Sequence, residues 1–183
     1  MARQGRRAAS VCVVISHQDG KTAVIVTRRA ATLRAHSQQW ALPGGRRDQG
    51  ETAIEAALRE LQEEVGLSAG EEQVMGLLDD FATRSGYVIT PVVLWTDSSV
   101  DDFTPNPDEV DRIEPFVFSE LSRGDSPILE TIEESREKVL SMNFHHDRIF
   151  APTGAILYQF REVAIFGRQT RVAHFEQPVF AWK

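Results

Sequence analysis

The sequence predicts a mixed α/β fold in one domain, on three observations. Short Val- and Ile-rich runs read as strands, a well-capped amphipathic segment after residue 50 reads as a helix, and neither an internal repeat nor a low-complexity linker divides the chain. At 183 residues it is long enough for one compact core and short for two, so 1–183 is taken as a single domain.

The first elements are a hairpin. Val11 to Ser16 and Thr22 to Arg28 flank Gln18-Asp19-Gly20-Lys21, whose Asp-Gly pair favours a tight two-residue turn. A short strand near Trp40 to Leu42 runs into the breaker Pro43-Gly44-Gly45. Thr52 then offers an N-cap, Glu55 completes a capping box, Gly66 supplies the stop, and Ile54, Leu58, Leu61 and Val65 form an apolar stripe. Strands are expected over Val74 to Arg84 and Tyr87 to Thr96, with Ser85-Gly86 as the turn. Ser98 to Asp111 reads as a loop, Phe116 to Leu121 as a short element, and Ile128 to Leu140 as a polar amphipathic helix. A short helix over Thr153 to Arg161 and a hairpin turning near Gly167-Arg168-Gln169 complete the chain, the hairpin being a candidate homodimer surface.

Composition narrows the function. A net charge of −7 argues against a nucleic-acid partner. No apolar run reaches the roughly 18 residues that cross a bilayer, so no membrane partner is expected. The basic leader MARQGRRAAS lacks the apolar stretch of a secretory signal, and the lone Cys12 sits in an apolar run as a buried, inert thiol; both fit a cytoplasmic setting. Trp40, Trp95 and Trp182 read as core residues, and adjacent His145 and His146 in a strand would point to opposite faces.

The chemistry concentrates in GGRRDQGETAIEAALRELQEEVGL, Gly44 to Leu67. At about 100° per residue, Glu60, Glu63 and Glu64 fall on one helix face, opposite the apolar stripe. Their mutual repulsion is relieved by a cation, and hard carboxylate oxygens suit Mg2+ or Mn2+. Gly44 and Gly45 expose backbone carbonyls as further ligands, and an ion pair between Glu51 and Arg59 would brace the glycine loop against the helix.

Gly45, Glu51, Arg59-Glu60-Leu61, Glu63-Glu64, Gly66 and Leu67 closely resemble the Nudix box, meeting every specified position. The resemblance implies a Nudix fold, a mixed β-sheet sandwiched between helices. It also implies metal-dependent hydrolysis of a small-molecule nucleotide substrate, a nucleoside diphosphate linked to a group X. It assigns Glu60, Glu63, Glu64 and the Gly44 carbonyl to the metal. Glu63, Glu64 and Glu109, the last on the loop Asn106-Pro107-Asp108-Glu109-Val110, are the candidate catalytic carboxylates.

Ahead of the box, Thr27, Arg29, Ala30, Arg34, Pro43, Gly44 and Gly45 match in register the additional motif of coenzyme A pyrophosphatases. Gln38 replaces a glycine of that motif and Leu42 a phenylalanine. The segments Arg84 to Val93 and Asn106 to Val110 are similar to the same subfamily. The resemblance implies cleavage of coenzyme A or a derivative to 3′,5′-ADP and 4′-phosphopantetheine, with Arg29 and Arg34 gripping phosphate oxygens through forked hydrogen bonds. Two other functions fit less of the pattern: hydrolysis of another derivative such as ADP-ribose or NADH, and a nucleotide-sensing module without catalysis.

Overall fold

The computed structural model describes residues 5–31 and 38–182. Arg34 lies outside the described residues. Strands β1 (Arg7–Gln18) and β2 (Lys21–Arg29) form the expected hairpin, longer at both ends than the sequence signalled. Asp19 and Gly20 both take positive φ, 49° and 72°, and Gln18 pairs directly with Lys21. A turn of that hand matches strand twist, which is why Asp-Gly is favoured there.

The main sheet is mixed. β3 (Trp40–Ala41) and β8 (Val110–Val117) pair with β2. β4 (Gly44–Arg46) pairs antiparallel with the start of β1, where β2 has splayed away. β7 (Tyr87–Ser99) runs parallel to β1, and β5 (Val74–Leu77) and β6 (Phe81–Ala82) pair with β7. The expected single strand Val74 to Arg84 is therefore two short ones.

Helix α1 (Ala53–Val65) has its capping box in place and ends at Gly66 with φ 71°. It packs on one face of the sheet through Ala57, Leu61 and Val65 against Cys12, Val14, Ile25 and Val92. Val13, Ile15, Val24 and Val26 point to the opposite face, as the two-residue strand period requires. That face is covered by a small antiparallel sheet and by α3 (Thr153–Phe160). The small sheet comprises β9 (Ile128–Glu130), β10 (Val139–Phe144) and β11 (Asp147–Phe150). A single turn, α2 (Phe118–Leu121), follows β8.

Four expectations fail here. Ile128 to Leu140 is not a helix but β9, an irregular loop and the start of β10. Its apolar residues sit at its two ends, and the glutamate-rich middle has only Ile132 to bury, so no helical stripe exists to pay the ordering entropy. No hairpin forms around Gly167: α3 continues through a π-helical turn (Arg161–Ile165), and the tail then runs extended, touching β10 by a bridge between Val139 and Glu176. The tail is held by side chains rather than by a ladder, so periodicity could not reveal it. His145 and His146 form the turn between β10 and β11 rather than a strand, with His145 at φ 51°. Trp95 is 44% exposed, outside the core. No helix among the described residues is long and apolar enough to cross a membrane.

Candidate active site

The site forms where β4 crosses over α1. Gly44 lies so close to β1 that an added Cβ would stand 2.3 Å from the Ser10 carbonyl oxygen and 2.6 Å from Val11 Cα. At Gly45 a Cβ would stand 2.4 Å from Glu60 Oε1. The first glycine is demanded by the neighbouring backbone, the second by a carboxylate. Gly45 thus leaves a cradle into which Glu60 reaches.

Glu60 and Glu64 are both beneath this loop. Glu64 is only 3% exposed, and its Oε2 accepts the Gly44 N–H at 3.2 Å. Helical spacing had put it opposite the apolar stripe; it lies instead at the edge of the buried face, because β4 extends the cover beyond the apolar residues. Burial raises its carboxyl to about pKa 7, against the Gly44 bond and the Arg29 charge, with Glu60 and Glu109 adding to the rise. Glu60 is raised by the same desolvation, opposed by Arg59. Glu63 points outward, its side chain 53% exposed.

Arg59 ties the assembly together. Its Nε and Nη2 grip Glu51 at 2.9 and 3.1 Å, its Nη1 reaches Glu60 at 2.8 Å and Glu63 at 3.1 Å, and Nη2 also donates to the Arg46 carbonyl at 3.0 Å. Glu51 accepts the Asp48 N–H at 2.8 Å as well, so its carboxyl is held below the ordinary range, chiefly by Arg59. The expected Glu51–Arg59 brace is present. In this arrangement the guanidinium itself is the counter-cation of Glu60 and Glu63, and no three acidic, histidine or cysteine side chains converge on one point among the described residues.

The loop carrying Glu109 is docked onto the end of α1. Thr104 N–H donates to the Val65 carbonyl and Asn106 N–H to the Glu64 carbonyl, each at 2.9 Å, satisfying carbonyls that a helix end leaves free. Glu109 is half-buried, its carbonyl accepts the Ala30 N–H at 2.9 Å, and its charge raises both Glu60 and Glu64. The fold therefore brings Glu109 and Arg29 to the two box carboxylates from separate elements.

A cavity of about 640 Å³ opens beside the glycine loop. Two of its lining residues carry buried polar atoms without a partner among the described residues, Ser10 Oγ and Arg29 Nε. At its rim Arg46 Nε donates to Tyr87 Oη at 2.7 Å, and Arg7 stacks 4.2 Å from the centre of the same ring. The far wall comes from β11 and the C-terminal segment, including Phe150, Gln177 and Phe180. Of these residues only Arg29 stood out as a site residue in the sequence; Ser10 and the far wall carry no local motif.

A glycine loop crossing a carboxylate-bearing helix, on a mixed sheet, is the arrangement the box residues predict. The chain belongs to the Nudix family: the NUDIX domain matches residues 6–140. The uncharacterized Nudix hydrolase NudL of Pectobacterium atrosepticum is 34% identical over 160 residues, 85% of this chain and 81% of that protein. Nudix hydrolase 3 of Caenorhabditis elegans is 34% identical over 117 residues, 62% of this chain and 49% of that one. Among solved structures, the Nudix hydrolase RenU from M. smegmatis superposes with a TM-score of 0.59 at 22% identity, covering 91% of each chain. A MutT/nudix family protein from Enterococcus faecalis gives 0.62 at 17% identity, covering 87% of this chain and 62% of that one. The chain is thus a Nudix hydrolase, acting on nucleoside diphosphate derivatives.

Proposed function

We propose that the substrate is coenzyme A or a derivative, cleaved at its diphosphate to 3′,5′-ADP and 4′-phosphopantetheine. The observation that carries this reading is the backbone at Gln38. It stands where the coenzyme A motif has glycine, and it adopts φ 59°, the left-handed conformation glycine takes readily. Its N–H donates to the Arg29 carbonyl at 3.0 Å, and its own carbonyl accepts Arg28 Nε at 3.3 Å. The second departure, Leu42, is 4% exposed and fills the core as an apolar residue should. Gln38 thus takes a backbone conformation open to glycine and Leu42 a buried apolar position, which supports reading the segment with that motif.

Two carboxylates, Glu60 and Glu64, lie together beneath the glycine loop and offer the hard oxygens a divalent cation takes, a cation that would share Glu60 with Arg59. Glu60, Glu63, Glu64 and the Gly44 carbonyl would hold Mg2+ or Mn2+. Bound there, the metal supplies charge neutralisation to the diphosphate and acidity to an attacking water. The chain's own residues supply the rest. Arg29 offers its unpartnered Nε to a phosphate oxygen, and Arg34 is assigned the same task by the motif. Glu51 and Arg59 hold the loop and Glu60 at a fixed separation. Glu63, Glu64 and Glu109 are the candidates for taking the water's proton. Burial lifts the Glu64 carboxyl toward the range that suits a general base, and the Glu109 charge on the docked loop adds to that rise.

The test is incubation of the purified protein with Mg2+ or Mn2+ and coenzyme A, with products resolved by chromatography. Formation of 3′,5′-ADP and 4′-phosphopantetheine, lost in Glu64→Gln, is the expected result. Intact coenzyme A alongside cleaved ADP-ribose refutes the substrate, and full activity of Glu64→Gln refutes the ligand set.

A further inference from the structure

The cavity has two chemically different ends. At the glycine loop, Ser10 Oγ and Arg29 Nε are buried donors without partners among the described residues, the kind of group that a phosphate oxygen satisfies. At the opposite end the charged and amide groups are held by the protein itself. Asp147 accepts Trp40 Nε1–H at 2.9 Å and the Arg148 N–H at 2.7 Å. Gln177 Oε1 accepts the Arg84 N–H at 2.7 Å, and the Arg148 guanidinium is taken by Ser141 and Glu130. Between them the lining is hydrocarbon, from Ile149, Phe150, Pro152, Phe180 and Ala181. Phe150 and Phe180 meet edge to face, centroids 5.5 Å apart and planes at 89°, yet Phe180 remains 53% exposed. The exposed ring of Phe180 extends the apolar wall of the cavity toward solvent.

We infer that β11 and the C-terminal segment form a hydrocarbon subsite, so that the preferred substrates are nucleoside diphosphate derivatives whose X group carries an apolar chain. The diphosphate lies at the glycine loop and the chain runs along Phe150 and Phe180. A base is the poorer occupant, because its hydrogen-bonding edge would lie against the hydrocarbon of Phe150, Pro152 and Phe180. The inference rests on the glycine loop as the diphosphate site and not on coenzyme A as the substrate.

Calorimetric titration of the full chain with hydrolysis-resistant ligands separates the two. The probes are the β-methyl and β-pentyl esters of α,β-methylene-ADP, with Mg2+ present. Fully burying a methylene is worth about fourfold in affinity, so four of them in a wall open on one side should tighten binding by tens of fold. Phe180→Ala should remove about tenfold of that advantage while leaving the methyl ester's Kd unchanged, and Phe180→Leu should restore most of it. Because Phe180 is half-exposed, these variants keep the fold, which their melting curves would verify. Equal affinity for the two esters overturns the subsite. So does an equal loss of both in Phe180→Ala, which would place the base on that wall. Binding of neither ester overturns the diphosphate assignment together with the subsite. Failure to cleave coenzyme A leaves the ester comparison decisive and refutes only the substrate reading.

Discussion

Replacing Arg84 with methionine tests how the C-terminal wall is held. Arg84 follows β6, and its Nε donates to both oxygens of Glu176 at 3.1 and 3.2 Å, with Nη2 also on the carboxylate. The same carboxylate accepts the Gln177 N–H at 2.9 Å. Glu176 is 6% exposed, whereas the Arg84 side chain is 51% exposed. Arg84→Met keeps the length of the stem and strands a buried charge. Removing the partner of a fully buried charge costs about 3–5 kcal/mol. The open side of Arg84 admits water to the carboxylate, and the Gln177 bond survives, which brings the expected loss to about 2 kcal/mol. That is about 4–8 °C in Tm for a domain of this size. The loss must also depend on pH. Arg84 holds the Glu176 carboxyl below its ordinary 4.5, so the stability it contributes is present above 4.5 and disappears as pH falls through the lowered value. Urea unfolding of both proteins at neutral pH and at about pH 3.5 reads the difference directly. A loss below about 0.5 kcal/mol at pH 7, or the same loss at both pH values, refutes the reasoning.

Three further predictions follow from the site. Gly45→Ala should cost about 1 kcal/mol or less in stability, since the added methyl meets only the flexible end of Glu60; displacing that carboxylate should weaken Mg2+ dependence of turnover by about tenfold, and an unshifted metal titration would contradict the cradle. Gln38→Gly should stabilise the protein by about 1 kcal/mol in urea unfolding, because it relieves a left-handed side-chain clash; a destabilised variant would show that the Gln38 side chain, not the backbone, matters there. Cys12, whose thiol is pushed to about 12 by burial and then by the Glu64 charge, should resist thiol reagents at pH 8 until urea unfolds the chain; native labelling at the rate of a free cysteine would disprove its burial.

Much of this protein was legible in its sequence because the signals are local. The hairpin turn at Asp19-Gly20 depends on two adjacent residues with positive φ, the capping box of α1 on residues three apart, and the Glu51–Arg59 brace on a fixed spacing across one junction. The box itself is a local device, so its carboxylates and glycines could be named before any fold was known. The placement of the Gly66 stop was equally secure, since only the next residue has to adopt a left-handed turn.

What the tertiary structure decided depends on groups far apart in the chain. Glu64 looked solvent-facing by helical angle, but β4, paired to β1, covers it and lifts its carboxyl to about 7. Glu109 was a loop carboxylate in sequence, and the docking of its loop on the end of α1 brings it to the site. The segments 128–140 and 167–182 misled periodicity because side-chain clasps such as Arg84–Glu176 set their path, and such clasps leave no repeat in the sequence. The nature of the chemistry was therefore written in residues 44 to 67, while the shape and polarity of the cavity arise only when β1, β11 and the C-terminal segment meet. Diphosphate chemistry needs a few oxygens at fixed spacing, which one helix and one loop provide; recognition of the group X needs a wall, and a wall is assembled from strands that only folding brings together.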